Sequence, residues 1–433
     1  MSYSNQKTKI PKVITFPQSL ASATTVDASQ AAGAVEQARN SDFTNFPLPV
    51  HGQGVFIFKL QDSLVWNAEN MISLSYRNSP QDNRDGLLLQ ISGGRLRLSR
   101  IKTGELLARG ECGWVDAKDA FYWVSLDAQN YLISFGVGEA RQENVGFSYT
   151  FPLVRDENKK DLTKPFLESL ICLTYQAENV SPLRYLRDPI VNKPTPMLVK
   201  NVDELTMVAI AENRYLPKAN LSPIGQRLYG NIAGKNFVLD DADFPEFSAA
   251  IQYSINNEAG WCYKKLREKA SEFGPSNLLA TYLRITLGQN NGESPGIPYV
   301  MEIWPPQHFS PVHNHSSANA IIRVLHGAIT VSLFPYLDPK MPPAFATVTF
   351  YRDEITWISP TLNQTHQLKN NGGDTPCITI QCYMYDEEDS NHYDYFDYLG
   401  EKDIEQYEPD SDMDYLDFRK QMIYEWNVLR KER

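Results

Sequence analysis

Short runs of alternating apolar and polar residues fill the chain between residues 43 and 151. They include Gly54–Lys59, Gly86–Ile91, Phe121–Leu126 and Leu132–Gly138, and turn-forming residues separate them. Alternation with a period of two places every second side chain on the same face of a strand. Short strands joined by regular turns are typical of an all-β sandwich, which we predict for residues 43–151.

A second series of strands is predicted between residues 281 and 385, where apolar runs again alternate with turn signals. Evenly spaced antiparallel strands of this kind close into a small barrel. The predicted strands are Thr281–Leu287, Pro298–Trp304, Ala320–Val324, Ala328–Phe334, Ala346–Tyr351 and Cys377–Tyr385.

The segments between these two regions differ in composition. Residues 152–200 contain six prolines and are predicted to form a linker. Residues 201–280 are predicted to be helical and to lead into the barrel. Within them, Phe244–Ile255 and Gly260–Phe273 carry apolar residues at three- and four-residue spacing, the pattern of an amphipathic helix.

The two ends of the chain are polar. Residues 1–42 are rich in Ser, Thr, Ala and Gln with few large apolar residues, so a mobile leader is predicted. Residues 386–433 are predicted to form an acidic tail followed by a terminal helix over Phe418–Arg430. Acidic runs are usually solvated, and the tyrosines within this one indicate that part of it packs on the barrel.

Charge and cysteine usage exclude several classes of function. The formal net charge of −11 argues against a nucleic-acid surface, which needs a basic patch. No run of 18 apolar residues occurs, so no membrane span is predicted. The cysteines follow no disulfide or metal-site spacing, and no apolar secretory segment begins the chain, which predicts free thiols in the cytoplasm. These cysteines are Cys112, Cys172, Cys262, Cys377 and Cys382.

The histidines are concentrated in one place, with four of the seven between residues 308 and 326. His313 and His315 are two positions apart, so on a barrel strand both imidazoles can face the interior. His366 follows a turn and precedes a strand, and it supplies a third imidazole. Imidazole suits iron, copper, zinc and nickel, so the ligands alone do not select the metal.

The spacing of these histidines resembles the cupin family, whose two motifs read G-x5-H-x-H-x3-4-E-x6-G and G-x2-H-x3-N. The matching positions are His313, His315 and Gly327 in the first motif and Asn363, His366 and Asn370 in the second. Ala320 occupies the position of the motif's glutamate. The resemblance implies a double-stranded β-helix barrel in which His313, His315 and His366 hold the metal.

A three-histidine site without a carboxylate leaves two positive charges for an incoming thiolate to neutralise. Thiol dioxygenases make this same departure from the cupin pattern. Trp304–His315 is similar to the cysteine dioxygenase segment W-G-x-G-H-x-S-x-x-H-x-H, and Tyr282–Arg284 resembles its Y-x-R motif. Tyr383 lies seventeen residues after His366, where that family places its active-site tyrosine. The likeness covers roughly residues 240–385.

The cysteine dioxygenase resemblance implies an iron(II) enzyme that converts a small thiol and O2 into a sulfinic acid, such as cysteine sulfinate. Arg284 would bind the substrate carboxylate beside Tyr282, and Tyr383 would hydrogen-bond the thiolate or the oxygen. Gln381 stands where the family's Ser-x-His-x-Tyr triad has histidine, and an amide cannot titrate as imidazole does. His308 lies on the approach to the histidine pair and is predicted to line the site entrance.

The strands that end in Phe121–Val124 and Leu132–Gly138 resemble the small β-sandwich domain named after farnesoic acid O-methyltransferase. The sequence of this region has no glycine-rich loop after a strand to hold S-adenosylmethionine. We therefore predict that the N-terminal domain has a recognition or scaffold role and binds a protein or a carbohydrate.

The sequence leaves two alternatives to a thiol dioxygenase open. One is a cupin without catalysis, a binding or sensing module beside a lectin-like sandwich, which Gln381 favours. The other is a zinc or nickel cupin that acts on a small acid.

Overall fold

The computed structural model describes residues 43–60, 71–81, 85–92, 94–111, 120–177, 179–190, 193–287, 299–385 and 395–429. The leader predicted over residues 1–42 and the predicted thiol of Cys112 lie outside the described residues. The chain divides into an N-terminal unit that ends at Pro194 and a C-terminal unit that begins at Thr195.

The described residues of the N-terminal unit form two antiparallel sheets and a short α-helix, α1, at Thr163–Glu168. Its strands are β1 (Thr44–Pro47), β2 (Gln53–Leu60), β3 (Met71–Arg77), β4 (Gly86–Ser92), β5 (Arg95–Arg100), β6 (Leu106–Glu111), β7 (Tyr122–Asp127), β8 (Leu132–Val137), β9 (Val145–Thr150), β10 (Cys172–Tyr175) and β11 (Val180–Leu186).

The two sheets have the strand orders β1-β10-β3-β4-β5-β6 and β11-β2-β7-β8-β9. Alternate side chains from both sheets meet in one apolar core, in which Leu74 and Leu89 of the first sheet join Phe58 and Phe135 of the second. A shared core between two sheet faces is what the alternating apolar pattern requires, because each sheet has one face to bury.

The segment predicted as a linker, residues 152–200, contributes to both sheets instead. Strand β10 lies between β1 and β3, and β11 pairs with β2. Pro182 is tolerated in β11 because β11 is an edge strand and its ladder shifts register after this residue. The prolines of this segment therefore accompany irregular strand pairing. They do not mark an absence of strands, as the linker prediction assumed.

The C-terminal unit contains the remaining strands. They are β12 (Val199–Lys200), β13 (Leu216–Pro217), β14 (Leu283–Leu287), β15 (Tyr299–Trp304), β16 (His313–Asn314), β17 (Asn319–His326), β18 (Ala328–Leu333), β19 (Ala346–Tyr351), β20 (Ile355–Ile358), β21 (Thr365–Lys369), β22 (Cys377–Met384), β23 (Phe396–Leu399), β24 (Ile404–Tyr407) and β25 (Met413–Asp414).

Helices precede and follow the barrel strands of the C-terminal unit. Ser222 begins one of them by accepting a hydrogen bond from the backbone N–H of Gly225, with proline at the first helical position. The helices are α2 (Met207–Ala211), α3 (Pro223–Ile232), α4 (Phe247–Asn256), α5 (Trp261–Glu268) and α6 (Tyr415–Tyr424).

Two six-stranded sheets, β20-β17-β22-β15-β14-β25 and β19-β18-β21-β16-β23-β24, form the barrel. Buried side chains of α3, α4, α5 and α6 pack against one face of the first sheet, where they meet Ile285, Ile303 and Ile380. The neighbouring positions Arg284 and Gln381 line an internal cavity that side chains of both sheets enclose. The barrel interior is therefore separated from the helical layer by the alternation of the strands.

The mainly β fold class predicted from the sequence is confirmed, with helices confined to the connections and the C-terminal end. Within the described residues, no helix is long and apolar enough to cross a membrane. Four cysteines belong to the described part of the chain, and all four are buried and unpaired, as the sequence predicts for free thiols.

The acidic tail supplies strands as well as a helix. β23 pairs with β16, which carries His313, and β24 pairs with β23. Phe396 and Tyr398 are buried on one face of β23. The tail segment that the structure describes is thus part of the barrel wall, in line with the prediction that its aromatic residues pack.

Candidate metal centre

Three histidines converge inside the barrel. Strands β16 and β21 place His313 directly opposite His366, and His315 follows immediately after β16. One ligand atom from each of the three rings lies within 4.8 Å of the other two, and the Nε2 atoms of His315 and His366 are 3.3 Å apart. His313 and His315 therefore form a single cluster with His366, which lies 51 positions after His315, as the sequence predicts.

Backbone carbonyls orient two of the rings. Nδ1 of His313 lies 3.1 Å from the carbonyl oxygen of Pro311, and Nδ1 of His366 lies 2.9 Å from that of Asn363. In each ring Nδ1–H donates to the carbonyl, so the lone pair is left on Nε2, the atom available to a metal.

All three imidazoles are neutral near pH 7, as metal ligands must be. Burial lowers the pKa of His313 to about 4 and that of His366 to about 3. Burial also holds the pKa of His315 well below its usual value, and the neighbouring rings and Arg284 act in the same direction. No proton therefore needs to leave before a cation binds.

The chemistry of the donor set, one nitrogen from each of three imidazoles, suits a divalent transition metal. Two nitrogens bound side by side to one cation, each at about 2.1 Å, are roughly 3.0–3.4 Å apart, and the 3.3 Å between the Nε2 atoms of His315 and His366 lies in this range. Nδ1 of His315 has no hydrogen-bond partner among the described residues, so the protein fixes this ring by packing. Imidazole nitrogens match iron, copper, zinc and nickel.

The local structure explains the residues at three further motif positions, Gly327, Asn363 and Asn370. Asn363 has φ of +66°, a left-handed conformation that glycine and asparagine adopt most readily. Gly327 has φ of +70°, and a Cβ there would lie 2.5 Å from the carbonyl oxygen of Pro376. Asn370 is fully buried and donates to the carbonyls of Trp304 and Thr375, which ties the end of β21 to the end of β15.

Four of the other predicted site residues line the same cavity as the histidines, namely Tyr282, Arg284, Gln381 and Tyr383. The cavity volume is about 40 Å³. Cys382 points to the other face of β22, as strand alternation predicts, and its thiol faces the carbonyl of Leu228.

The prediction that His308 lines the entrance differs from its position in the structure. His308 is buried outside the cavity lining, and its Nδ1 lies 2.8 Å from the carbonyl oxygen and 3.1 Å from Oγ1 of Thr281. Closeness in sequence to the histidine pair suggested a place at the site, but in the structure the ring contacts Thr281 and is not among the residues that line the cavity.

A chain of hydrogen bonds links the polar residues of the cavity. The Tyr383 hydroxyl donates to Oε1 of Gln381, and Nε2 of Gln381 donates to Oε2 of Glu302. Oε1 of Glu302 pairs with the Arg284 guanidinium at 3.2 Å. Burial raises the pKa of Glu302, and the guanidinium and the Gln381 amide oppose that rise. Burial also holds the pKa of Tyr383 well above its ordinary value, so its hydroxyl keeps its proton.

Glu302 and Phe396 are among the cavity residues that sequence reasoning missed. Glu302 is the acidic residue in the otherwise apolar strand β15, and a carboxylate in such a strand is a signal that it has a buried partner. Phe396 falls in the tail that was predicted mainly as solvated surface. Its alternation with Tyr398 is the signal for a buried face.

No family model matches the sequence. Among solved structures, an oxalate oxidase in complex with the substrate analogue glycolate shares 19% identity over 24% of this chain and 51% of its own, with a TM-score of 0.19. The match thus spans about half of the oxalate oxidase chain.

Two bacterial structures are similar over comparable segments. A cupin domain of an XRE family transcriptional regulator from Enterobacter cloacae shares 14% identity over 24% of this chain and 98% of its own, with a TM-score of 0.19. An uncharacterized protein with a double-stranded β-helix domain from Klebsiella pneumoniae shares 16% over 32% of this chain and 89% of its own, with a TM-score of 0.20. At these values the comparisons assign no metal, substrate or activity to this chain.

Proposed function

We propose that the C-terminal unit is an iron(II)-dependent thiol dioxygenase that acts on a small carboxylate-bearing thiol, cysteine first among them. The overall reaction adds both atoms of O2 to sulfur, so that RSH and O2 give RSO2H. The thiol sulfur is oxidised by four electrons and O2 is reduced by the same four, so no further reductant is required.

One observation carries this proposal. Three neutral imidazoles, two of them buried and that of His313 partly buried, meet in a small cavity that Arg284 and Tyr383 also line, and Ala320 replaces the carboxylate of the cupin motif. An all-imidazole ligand set leaves the positive charge of a divalent metal uncompensated, which favours an anionic thiolate as the next ligand.

Bound iron(II) would supply a binding position for the thiolate and the ability to react with O2. The protein side chains provide the rest of the site. Arg284 offers a fixed fork of donors to a carboxylate. The Tyr383 hydroxyl, kept protonated by burial, holds a proton at the edge of the cavity. Apolar side chains such as Val324 and Leu333 line the remaining wall and keep water out.

The test is oxygen uptake by defined holoprotein. The full chain is purified without oxygen, its metal content is measured, and iron(II) is added to one equivalent per chain. Oxygen consumption and sulfinic acid are then followed with cysteine, 3-mercaptopropionate and cysteamine. We expect one sulfinate formed per O2 consumed with a carboxylate-bearing thiol. Full iron loading without uptake from any of the three thiols would rule the enzyme out.

A non-catalytic cupin that binds or senses a small ligand is the second candidate, and Gln381 favours it. This amide occupies the place where a titratable imidazole would assist proton transfer, and both ends of the amide are already used by Tyr383 and Glu302. Ligand binding without oxygen consumption by the same iron-loaded protein would establish this function in place of the dioxygenase.

A further inference from the structure

An ion pair, and not a lone cation, stands beside the histidines. Arg284 on β14 and Glu302 on β15 are opposite each other in the ladder, and their side chains pair at 3.2 Å. Both are buried, with 3% and 5% of their surfaces exposed, and both line the cavity that contains the three imidazoles. A ligand in this cavity therefore meets a positive and a negative group side by side.

The pair changes what Arg284 can recognise. A guanidinium alone attracts any carboxylate, but here a ligand carboxylate would also approach the carboxylate of Glu302. Two carboxylates that share a buried site repel each other strongly. A ligand that brings its own cation removes this repulsion, because Glu302 can accept from that cation. Each carboxylate oxygen has more than one acceptor site, so the contacts with Arg284 and Gln381 do not saturate Glu302.

A purely structural role for the Arg284–Glu302 pair is also disfavoured. Burying an ion pair costs more desolvation than its attraction commonly returns, and apolar residues of similar size fill such space at least as well. The charges of Arg284 and Glu302 are instead presented to a cavity. An ammonium and a carboxylate group attached to the same carbon atom, as in an α-amino acid, have the charge pattern complementary to this pair.

We propose that the Arg284–Glu302 pair makes the site selective for a zwitterionic ligand, with Arg284 binding the carboxylate and Glu302 accepting hydrogen bonds from the ammonium. Glu302 is then a specificity-determining residue. The identity of the ligand as an amino-acid thiol rests on the proposed dioxygenase function. Recognition of the zwitterion by the charge pair does not depend on turnover and is measured without oxygen.

The test is anaerobic binding to the iron-loaded full chain, read by calorimetry and by the fluorescence of Trp304 and Trp357, which line the cavity. The probes are L-cysteine, the carboxylate 3-mercaptopropionate and the amine cysteamine. We expect L-cysteine to bind roughly tenfold or more tightly than either probe with a single charge, since each leaves one buried charge unmatched. Equal affinity of L-cysteine and 3-mercaptopropionate for the unmodified protein would overturn the proposal.

Glu302→Gln supplies the second measurement, because it removes the charge and keeps the side-chain shape. The preference for L-cysteine over 3-mercaptopropionate should fall roughly tenfold or more, with iron content retained. Glu272→Gln is the matched control. Glu272 is a half-buried acid paired with Lys269 at 3.3 Å, it lies outside the cavity lining, and its variant should keep the preference. An equal loss for both probes in Glu302→Gln would identify Glu302 as structural only.

The two proposals fail in different ways. Selective binding of L-cysteine without oxygen uptake overturns the dioxygenase and keeps the zwitterion site. Oxygen uptake with the same kcat/KM for L-cysteine and 3-mercaptopropionate overturns the zwitterion site and keeps the dioxygenase. If Glu302→Gln does not fold, the comparison of the three probes on the unmodified protein decides the proposal alone.

Discussion

The ring of Phe396 stands edge-on to the ring of His315, with centroids 4.2 Å apart and an interplanar angle of 65°. The same ring lies 6.1 Å from that of His313. Phe396 is carried by β23, which pairs with the ligand strand β16. The acidic tail therefore supplies an apolar wall next to the three-histidine cluster, and the barrel site depends on residues C-terminal to His366.

Replacing this wall residue should destabilise the C-terminal unit. Phe396→Ala removes a buried aromatic ring and should lower the free energy of unfolding by about 3–5 kcal/mol. The measurement is the transition of the C-terminal unit in calorimetry or urea. Tyr395→Ala, at the neighbouring exposed position, is the control and should change stability by about 0.5 kcal/mol or less. A Phe396→Ala protein as stable as the control would show that the tail does not support the barrel.

The strands of both units could be predicted from the sequence because alternation is a local property. The predicted strand Ala346–Tyr351 coincides with β19, and Cys377–Tyr385 corresponds to β22 at Cys377–Met384. The pairing of β10 with β1 and of β23 with β16 joins segments far apart in the chain, and no local pattern encodes such a register. The predictions for those segments, a linker and a solvated acidic tail, were based on their proline and acidic content.

Loss of a ligand imidazole should remove the metal. His313→Ala or His366→Ala leaves two nitrogens at the site, and we expect iron content after anaerobic reconstitution and desalting to fall from near stoichiometric to a small fraction. His308→Ala is the matched control, because His308 is also buried but contacts Thr281 and not the cavity. Full iron retention by His313→Ala would show that the ligand assignment is wrong.

The turn between β17 and β18 should tolerate only glycine. Gly327→Ala adds a Cβ that would meet the carbonyl oxygen of Pro376 at 2.5 Å in a left-handed conformation, so we expect a loss of about 2 kcal/mol in the free energy of unfolding. Gly373→Ala is the control, since nothing lies within 4 Å of a Cβ at that position. Similar unfolding midpoints for the two variants would contradict the strain argument.

Backbone strain at Asn363 can be separated from its side-chain hydrogen bond. Asn363→Gly and Asn363→Ala both lose the bond from Nδ2 to the carbonyl of Trp357, but only alanine is strained at φ of +66°. The alanine variant should therefore be less stable than the glycine variant by about 1 kcal/mol. It should also bind iron more weakly, because the Asn363 carbonyl orients His366. Equal stability and iron affinity in the two variants would argue against this role.

The metal ligands could be predicted from the sequence because their spacing and the resemblance agreed, whereas the charge pair could not. Arg284 and Glu302 are 18 residues apart, and only the register of β14 with β15 sets them opposite each other. For His308, proximity in sequence suggested a place in the site, but the residue contacts Thr281 and is not part of the cavity lining. Side-chain direction in irregular segments follows from tertiary contacts, which local patterns do not contain.

The hydroxyl of Tyr383 should matter for turnover and not for metal binding. Its ring lies 5.7 Å from that of His315, and the hydroxyl donates to Gln381 at the end of the polar chain from Arg284. Tyr383→Phe removes this proton donor and keeps the packing. For the proposed dioxygenase activity, kcat should therefore fall roughly 10- to 100-fold with little change in KM.

Iron content and the unfolding midpoint of Tyr383→Phe should match those of the unmodified protein, which separates a chemical role from a structural one. Tyr336→Phe is the control, because Tyr336 is a buried tyrosine outside the cavity lining and should keep full activity. If Tyr383→Phe retains the full rate, the hydroxyl takes no part in the reaction. The polar chain from Tyr383 through Gln381 to Glu302 then serves only to fix the position of Arg284.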